Sequence, residues 1–320
     1  DVTVTNGNFS GFTGTEDTYT LNIEPVEEGV VTLSIAANVV DDLAGNSNAQ
    51  KTEVSFTYDL TSPTVQISST LTSPSNISPI PVKVLFSENV KDFSSDKLTV
   101  SLGSVSSFSG SGKEYAIEIE PSSDDTITAK IIANVVQDEA GNGNKLSSAF
   151  TLLYDGTPPE LGLINDGIGE DVDYQQDNQS ISANWSGFSD IATGIDYYEW
   201  AIGTSVGGIQ INDWLNVSKD TSATKSFISL QDDTIYVSVR ATDNTGNKSN
   251  IVSSDGVIID TTPPSAPANL SASTGDMIIN LSWDANTDSD LKEYLVYRSE
   301  ASGFTPSDDN RIAEVNPANT

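Results

Sequence analysis

The feature that most constrains this chain is an internal repeat. VVDDLAGNSN at 39–48 returns as VVQDEAGNGN at 135–144, and ATDNTGN at 241–247 is a shorter echo. A shift of 96 residues aligns the first two copies without a gap from Val4 to Tyr58. Because the matching positions are spread so widely, they predict duplicated domains rather than one copied motif.

The spacing between the repeated turn and the linker that follows it is constant. In each copy, 17 residues separate the aspartate that opens the D-x-x-G-N turn from an aspartate in a proline-bearing linker. These pairs are Asp42 and Asp59, Asp138 and Asp155, and Asp243 and Asp260. Between the turns, apolar residues alternate with polar ones, which is the period of strands buried on one face.

We therefore predict an all-β fold of tandem β-sandwiches in an extended array. The boundaries follow the linkers, because proline fixes φ and stiffens an extended segment. The predicted units are 1–59, 60–155, 156–262 and 263–320, with the first and last expected to be incomplete.

Charge and composition exclude several classes of function. Lys and Arg total 14 against 46 Asp and Glu, a net charge of −32 that repels nucleic acid and anionic lipid headgroups. No run of 18 apolar residues exists, so we expect no membrane insertion. The absence of Cys and His removes disulfides, thiol nucleophiles and His-based triads. We predict that the chain is not an enzyme, since it also lacks the G-x-S-x-G, P-loop and S-x-x-K motifs.

Two stretches of the second unit carry a family resemblance. PVKVLFSENVKDFSSDKLTVSLGSVSSFSG, which begins at Pro81, is followed by VVQDEAGNGN, and together they resemble the bacterial Ig-like domains of large surface and secreted proteins. The resemblance covers 60–155 and, truncated, 1–59. It implies an Ig-like sandwich located at the bacterial cell surface or secreted.

The later units resemble a different module. ISANWSGF, YYEWAIGT and YVSVRATDNTGN resemble a fibronectin type III-like module of bacterial exoproteins over 156–262. LSWDANTDSDLKEYLVYRS resembles the first half of a fibronectin type III domain over 263–320. Such modules usually act as spacers, stalks or adhesive segments.

Two interpretations of the D-x-x-G-N turn stay open. In the first it is only a tight turn, in which glycine takes a positive φ. In the second it helps to bind Ca²⁺, because this loop of a sandwich faces the linker arriving from the preceding unit, where several oxygen ligands would converge. The candidate ligands are Asp59, Glu88, Asp138 and Asn142 at one junction, and Asp155, Asp190, Asp243 and Asn247 at the next.

A second acidic run, 165–179, carries Asp171 and Asp173 two residues apart. It is interpreted either as a solvated loop or as a weak cation site.

Aromatic residues of the third unit raise the possibility of glycan binding. Tyr198 and Trp200 share one strand face, and Trp185 ends an alternating pattern, so these three are predicted to be core. Tyr197 and Trp214 remain as candidate contacts for a sugar ring.

The predicted function is a structural stalk or spacer of a large bacterial surface or secreted protein, with an adhesin that presents a distal domain as the expected class. Two alternatives stay open: accessory domains of a secreted polysaccharide-degrading enzyme or protease, and a module that itself binds a glycan or protein. The expected partners are neighbouring domains of the same chain, and host, matrix or glycan ligands.

Overall fold

The structure, a computed structural model, describes residues 2–227 and 229–317. Across these residues the chain forms strands and two short 3-10 helices, and no α-helix occurs there. The all-β prediction is therefore confirmed. None of the helices in this part of the chain has the length and apolar character needed to cross a membrane.

The first unit consists of a three-stranded sheet and a hairpin. Its strands are β1 (Val2–Thr5), β2 (Gly7–Thr15), β3 (Thr18–Pro25), β4 (Gly29–Ile35) and β5 (Thr52–Tyr58). The sheet has the order β1-β4-β5, and β2 pairs with β3.

The second unit is a sandwich of two main sheets. Its elements are β6 (Val65–Ser68), β7 (Ile80–Phe86), β8 (Val90–Lys91), a 3-10 helix (Ser95–Lys97), β9 (Leu98–Ser101), β10 (Gly103–Ser111), β11 (Glu114–Pro121), β12 (Asp125–Ile131), β13 (Gln137–Asp138) and β14 (Phe150–Tyr154). One sheet has the order β10-β11-β7-β6 and the other β14-β12-β9, while β13 pairs with β8.

The third unit repeats the two-sheet plan with longer strands. Its strands are β15 (Leu163–Asp166), β16 (Tyr174–Gln175), β17 (Ser180–Ser186), β18 (Ile195–Gly203), β19 (Asn212–Asn216), β20 (Ser222–Ser226), β21 (Thr234–Asp243), β22 (Val252–Ser253) and β23 (Val257–Ile259). One sheet is β15-β17-β20, and the other is β16-β23-β21-β18-β19 with β22 paired to β21.

The fourth unit has two hairpin-like sheets. Its elements are β24 (Ala268–Thr274), β25 (Ile279–Asp284), β26 (Tyr294–Tyr297), a 3-10 helix (Asp308–Asn310) and β27 (Arg311–Val315). β24 pairs with β25, and β26 pairs with β27.

The cores follow from the alternation in the sequence. On β11, Tyr115, Ile117 and Ile119 are buried while the residues between them are exposed. They pair in register with the buried face of β7, where Ile117 lies opposite Val82. Side chains of β12 close this core from the other sheet. Full burial of each such aliphatic side chain contributes roughly 1.5–3 kcal/mol.

The third unit has its own aromatic core. Trp185 on β17 lies 5.9 Å from Tyr198 and 6.4 Å from Trp200, measured between ring centroids. All three side chains are buried, as the alternation predicted. This core shares no residue with that of the second unit, so the two sandwiches are stabilised separately.

The first unit leaves equivalent side chains exposed. Tyr19 aligns with Tyr115 in the repeat, yet Tyr19 is 57% exposed and Tyr115 only 5%. The difference has a structural cause, because β11 lies between β10 and β7, whereas β3 pairs only with β2 in the described part of the chain.

Candidate metal centres at the unit junctions

The D-x-x-G-N segment of the second unit is a tight turn closed by its own aspartate. Asp138 N donates to Asn142 O at 3.1 Å. Its side-chain Oδ1 accepts hydrogen bonds from Gly141 N at 2.7 Å and from Asn142 N at 2.8 Å. Gly141 has φ +97°, a conformation that residues with a Cβ rarely adopt. The motif therefore forms a tight turn, which is compatible with both interpretations of it.

The other two copies are closed in the same way. In each of the three turns, the aspartate Oδ1 accepts from the backbone N–H of the asparagine four residues later, and its Oδ2 accepts from the amide nitrogen of that asparagine. The three pairs are Asp42–Asn46, Asp138–Asn142 and Asp243–Asn247. In that order, the bonds from the backbone N–H measure 2.8, 2.8 and 2.9 Å. The bonds from the side-chain amide measure 2.9, 2.9 and 2.8 Å.

The same asparagine also binds the linker from the preceding unit. Asn142 Nδ2 donates to the carbonyl oxygen of Asp59 at 3.0 Å. Asn247 Nδ2 donates to the carbonyl oxygen of Asp155 at 2.9 Å, and the Thr245 hydroxyl donates to that oxygen at 3.1 Å. The turn therefore fixes the linker backbone as well as its own loop.

Each linker aspartate also shapes its own segment. Its Oδ1 accepts from the backbone N–H of the residue two positions later, which is a threonine in all three linkers. The distances are 2.9 Å for Asp59 and Thr61, 3.3 Å for Asp155 and Thr157, and 2.9 Å for Asp260 and Thr262.

An acidic residue of the preceding unit holds the linker from the other side. The Thr61 hydroxyl donates to Glu28 at 2.6 Å, Gly156 N donates to Asp124 at 2.8 Å, and the Thr261 hydroxyl donates to Asp232 at 3.0 Å. Glu28, Asp124 and Asp232 were not predicted from the sequence. A sequence signal exists for the first two, because Glu28 and Asp124 each lie 31 residues before the aspartate of their linker.

The first junction brings three predicted ligands together. Asp59, Glu88 and Asp138 each place a carboxylate oxygen within 4.8 Å of those of the other two. Burial, reinforced by the charges of Asp59 and Asp138, raises the pKa of Glu88. Burial also raises the pKa of Asp138, but its hydrogen bonds from Asn142 and the turn amides outweigh this and leave that pKa below its usual value.

The second junction assembles the equivalent trio. Asp155, Asp190 and Asp243 also lie with one carboxylate oxygen each within 4.8 Å of one another. The side chain of Asp155 is fully buried and accepts a hydrogen bond from the Thr193 hydroxyl. Burial raises the pKa of Asp155, and the charges of Asp190 and Asp243 raise it further against the opposing effect of Thr193.

No side-chain cation neutralises either trio. In the described ranges, 2–227 and 229–317, the Lys and Arg side chains form their ion pairs with other acids. Each junction thus concentrates carboxylates in a partly buried position without a protein countercharge. Like charges this close repel one another unless a proton or a cation intervenes.

The two predicted asparagine ligands lie beside these trios. Their amide nitrogens point to the linker carbonyl, so any bond to a cation would come from the side-chain oxygen. Asn247 Oδ1 already accepts from Asn76 Nδ2 of the second unit at 3.0 Å. Both asparagines position the linker through the carbonyl oxygens of Asp59 and Asp155, and their role as calcium ligands stays a prediction.

A third junction, which was not predicted from the sequence as a metal site, also brings acidic side chains together beside a linker aspartate. The side chain of the linker residue Asp260 forms a hydrogen bond with that of Asp290. This bond, together with the nearby charges of Asp260 and Asp288, raises the pKa of Asp290.

One of the two predicted glycan contacts, Trp214, is partly covered by another side chain of the same unit. The guanidinium of Arg240 lies 4.3 Å from the centroid of the Trp214 ring and covers one of its faces. Arg240 is itself held by Glu199 at 2.8 Å. Tyr197 is half-buried on β18, and within the described residues its ring does not stack with that of Trp214. Glycan binding stays a prediction.

Comparison with known proteins adds one result. Residues 59–154 match the family model of the bacterial Ig-like domain. A comparison with curated proteins returns no match. The Ig-like resemblance of the second unit is thereby confirmed, whereas the fibronectin type III resemblance of the later units stays a prediction.

Proposed function

We propose that this chain is a structural spacer of a large bacterial surface or secreted protein, and that Ca²⁺ bound at its unit junctions stiffens it. The spacer would hold a distal functional domain, as in an adhesin, away from the cell. The match of the second unit to a bacterial Ig-like domain supports this class of protein. The two separate cores support a chain whose units fold side by side rather than around one site.

One repeated observation carries the proposal. At two successive junctions, the linker is held by the preceding unit through an acid and by the following unit through the turn asparagine. Each of these junctions also contains a carboxylate trio. Because this arrangement of a held linker and a carboxylate trio recurs between units rather than in a cleft, it favours a mechanical role over catalysis.

Calcium suits these trios for a geometric reason. It takes six to eight oxygen ligands in flexible arrangements, at about 2.3–2.6 Å. Two oxygens bound to one Ca²⁺ can therefore be separated by up to about 5.2 Å, which accommodates oxygens within 4.8 Å of one another. The ion would offset the carboxylate repulsion and tie the linker to the following unit.

The test is calcium titration of the metal-free full chain, followed by calorimetry and thermal unfolding. We expect calcium to release or take up heat on binding and to raise the Tm, because an ion that binds only the folded state stabilises it. Glu88→Gln should remove binding at the first junction and Asp190→Asn at the second. Both substitutions keep an oxygen acceptor and leave the turn intact.

Asp196→Asn is the matched control, since Asp196 is an exposed acid outside both trios. Magnesium at the same concentration tests whether the response belongs to calcium. Equal Tm values in calcium and in chelator would refute the metal part of the proposal. Equal responses from wild type and both junction variants would refute the assigned ligands.

A further inference from the structure

We infer that the third unit contains a calcium site of its own, formed by Asp166, Asp171 and Asp255. One carboxylate oxygen of each lies within 4.8 Å of those of the other two. The site shares no residue with the junction trios, and its existence does not depend on theirs. It replaces the Asp171–Asp173 pair suggested by the acidic run.

The buried member of the group is Asp166, at the end of β15. Its side chain is fully buried, with 0% exposure. Oδ2 accepts a hydrogen bond from Gly256 N at 3.1 Å, and the Ser254 hydroxyl also hydrogen bonds to the carboxylate. Oδ1 has no hydrogen-bond partner among the described residues. A buried carboxylate oxygen without a partner is costly and indicates a missing ligand.

The neighbouring acids make the burial of the Asp166 carboxylate still less favourable. Burial, then the charges of Asp171 and Asp255, raise the pKa of Asp166 to about 6 against the hydrogen bonds from Ser254 and Gly256. No Lys or Arg side chain forms an ion pair with these three acids in the part of the chain that the structure describes. The three acids thus lie together with no paired Lys or Arg side chain among the described residues, an arrangement that favours a cation from solution.

The loop that carries Asp171 is already fixed in place. Asp171 Oδ1 accepts from Asp166 N at 2.8 Å. Asn184 on β17 donates its amide nitrogen to Gly167 O at 3.0 Å and to Gly169 O at 2.9 Å. Asp255 approaches from the loop between β22 and β23. Two segments, the end of β15 with its following loop and the loop between β22 and β23, thus bring the three acids together, and the exposed sides of Asp171 and Asp255 are left for water ligands.

The experiment uses the full chain, freed of metal by chelation and titrated with calcium chloride in a calorimeter. Asp255→Asn changes an exposed loop residue, and we expect it to reduce the number of calcium ions bound by one. Asp166→Asn should do the same and should also reduce the calcium-dependent rise in Tm of the third unit. Asp173→Asn is the matched control, because Asp173 is exposed in the same acidic run and lies outside the group.

The titrations distinguish a failure of this site from a failure of the junction sites. Unchanged stoichiometry in Asp255→Asn, with circular dichroism like that of wild type, would overturn this site, as would the absence of any calcium binding. Loss of one ion in Asp255→Asn with no effect of Glu88→Gln or Asp190→Asn would support this site while refuting the junctional ones.

Discussion

A single asparagine closes the repeated segment in the first two units and is replaced in the third. Asn144 Oδ1 accepts from Val135 N and Val136 N, both at 3.0 Å, and its Nδ2 donates to Ile132 O and Lys145 O. Asn48 makes three equivalent bonds in the first unit, and its fourth goes to Gln50 O, one residue further along the chain. In the third unit, the aligned residue is a serine, whose hydroxyl accepts from Ala241 N.

Replacing this asparagine tests its role. Asn144→Ala removes the partner of four backbone groups, of which the N–H of Val136 is buried, and we expect it to lower the free energy of unfolding of the second unit by about 3 kcal/mol. Denaturant unfolding of the full chain measures the change. Asn48→Ala is the matched variant at a more exposed copy of the same position and should cost less. A loss of similar size at both sites would contradict burial as the cause.

A second residue-scale prediction concerns pH. Hydrogen bonds from Arg240 and then Lys248 hold the pKa of Glu199 below its ordinary value, against the opposing effect of burial. Because the folded-state pKa is the lower one, the stabilisation is present above the unfolded-state pKa and is lost as pH falls through the folded-state value.

Denaturant unfolding of wild type and Glu199→Gln across the acidic range measures this effect. We expect the stability difference between the two proteins to be greatest at neutral pH and to shrink as the pH falls below the ordinary range of glutamate, about 4.3. A difference that stayed constant with pH would show that Glu199 acts by packing alone.

At the scale of elements, the turns depend on backbone conformation. Gly141 and Gly246 have φ +97° and +94°, and a Cβ at either position would meet nothing within 4 Å. Any cost of Gly→Ala at these positions therefore comes from the backbone, not from a clash.

We expect Gly141→Ala to destabilise the second unit by about 1 kcal/mol or more. Gly169→Ala is the control, because that glycine also has open space around it but no positive φ. It should be neutral or slightly stabilising, since alanine restricts the unfolded chain. Thermal unfolding distinguishes the two, and equal effects would contradict the conformational explanation.

The sequence predicts elements and junction residues well where the signal is local. Period-two alternation identified β11 and β21, and the repeat placed Asp59 and Asp155 opposite the turns. The two-residue strands β8, β13, β16 and β22 carry too few residues for any period. Asp166 was not predicted because Asp255, which completes its group, lies 89 residues away in the sequence, and the close spacing of Asp171 and Asp173 suggested Asp173 instead. Glu28 and Asp124 were missed because a contact with the preceding unit leaves no mark on periodicity.

At the scale of the whole molecule, the second and third units have separate cores and are joined by a linker that both units hold. The net charge of −32 opposes clumping of neighbouring chains, although this repulsion extends only about 8–10 Å near physiological salt. Within a chain, the same charge concentrates at the joints, where calcium would turn repulsion into a link between successive units. Stiffness would then depend on the ion rather than on proline alone.

Small-angle X-ray scattering of the full chain in calcium and in chelator tests this claim most directly. We predict a larger maximum dimension and a narrower range of conformations in calcium, because bound ions fix each unit against the next. A chain that carries both Glu88→Gln and Asp190→Asn should scatter in calcium as wild type does in chelator. Identical wild-type scattering with and without calcium would contradict the account.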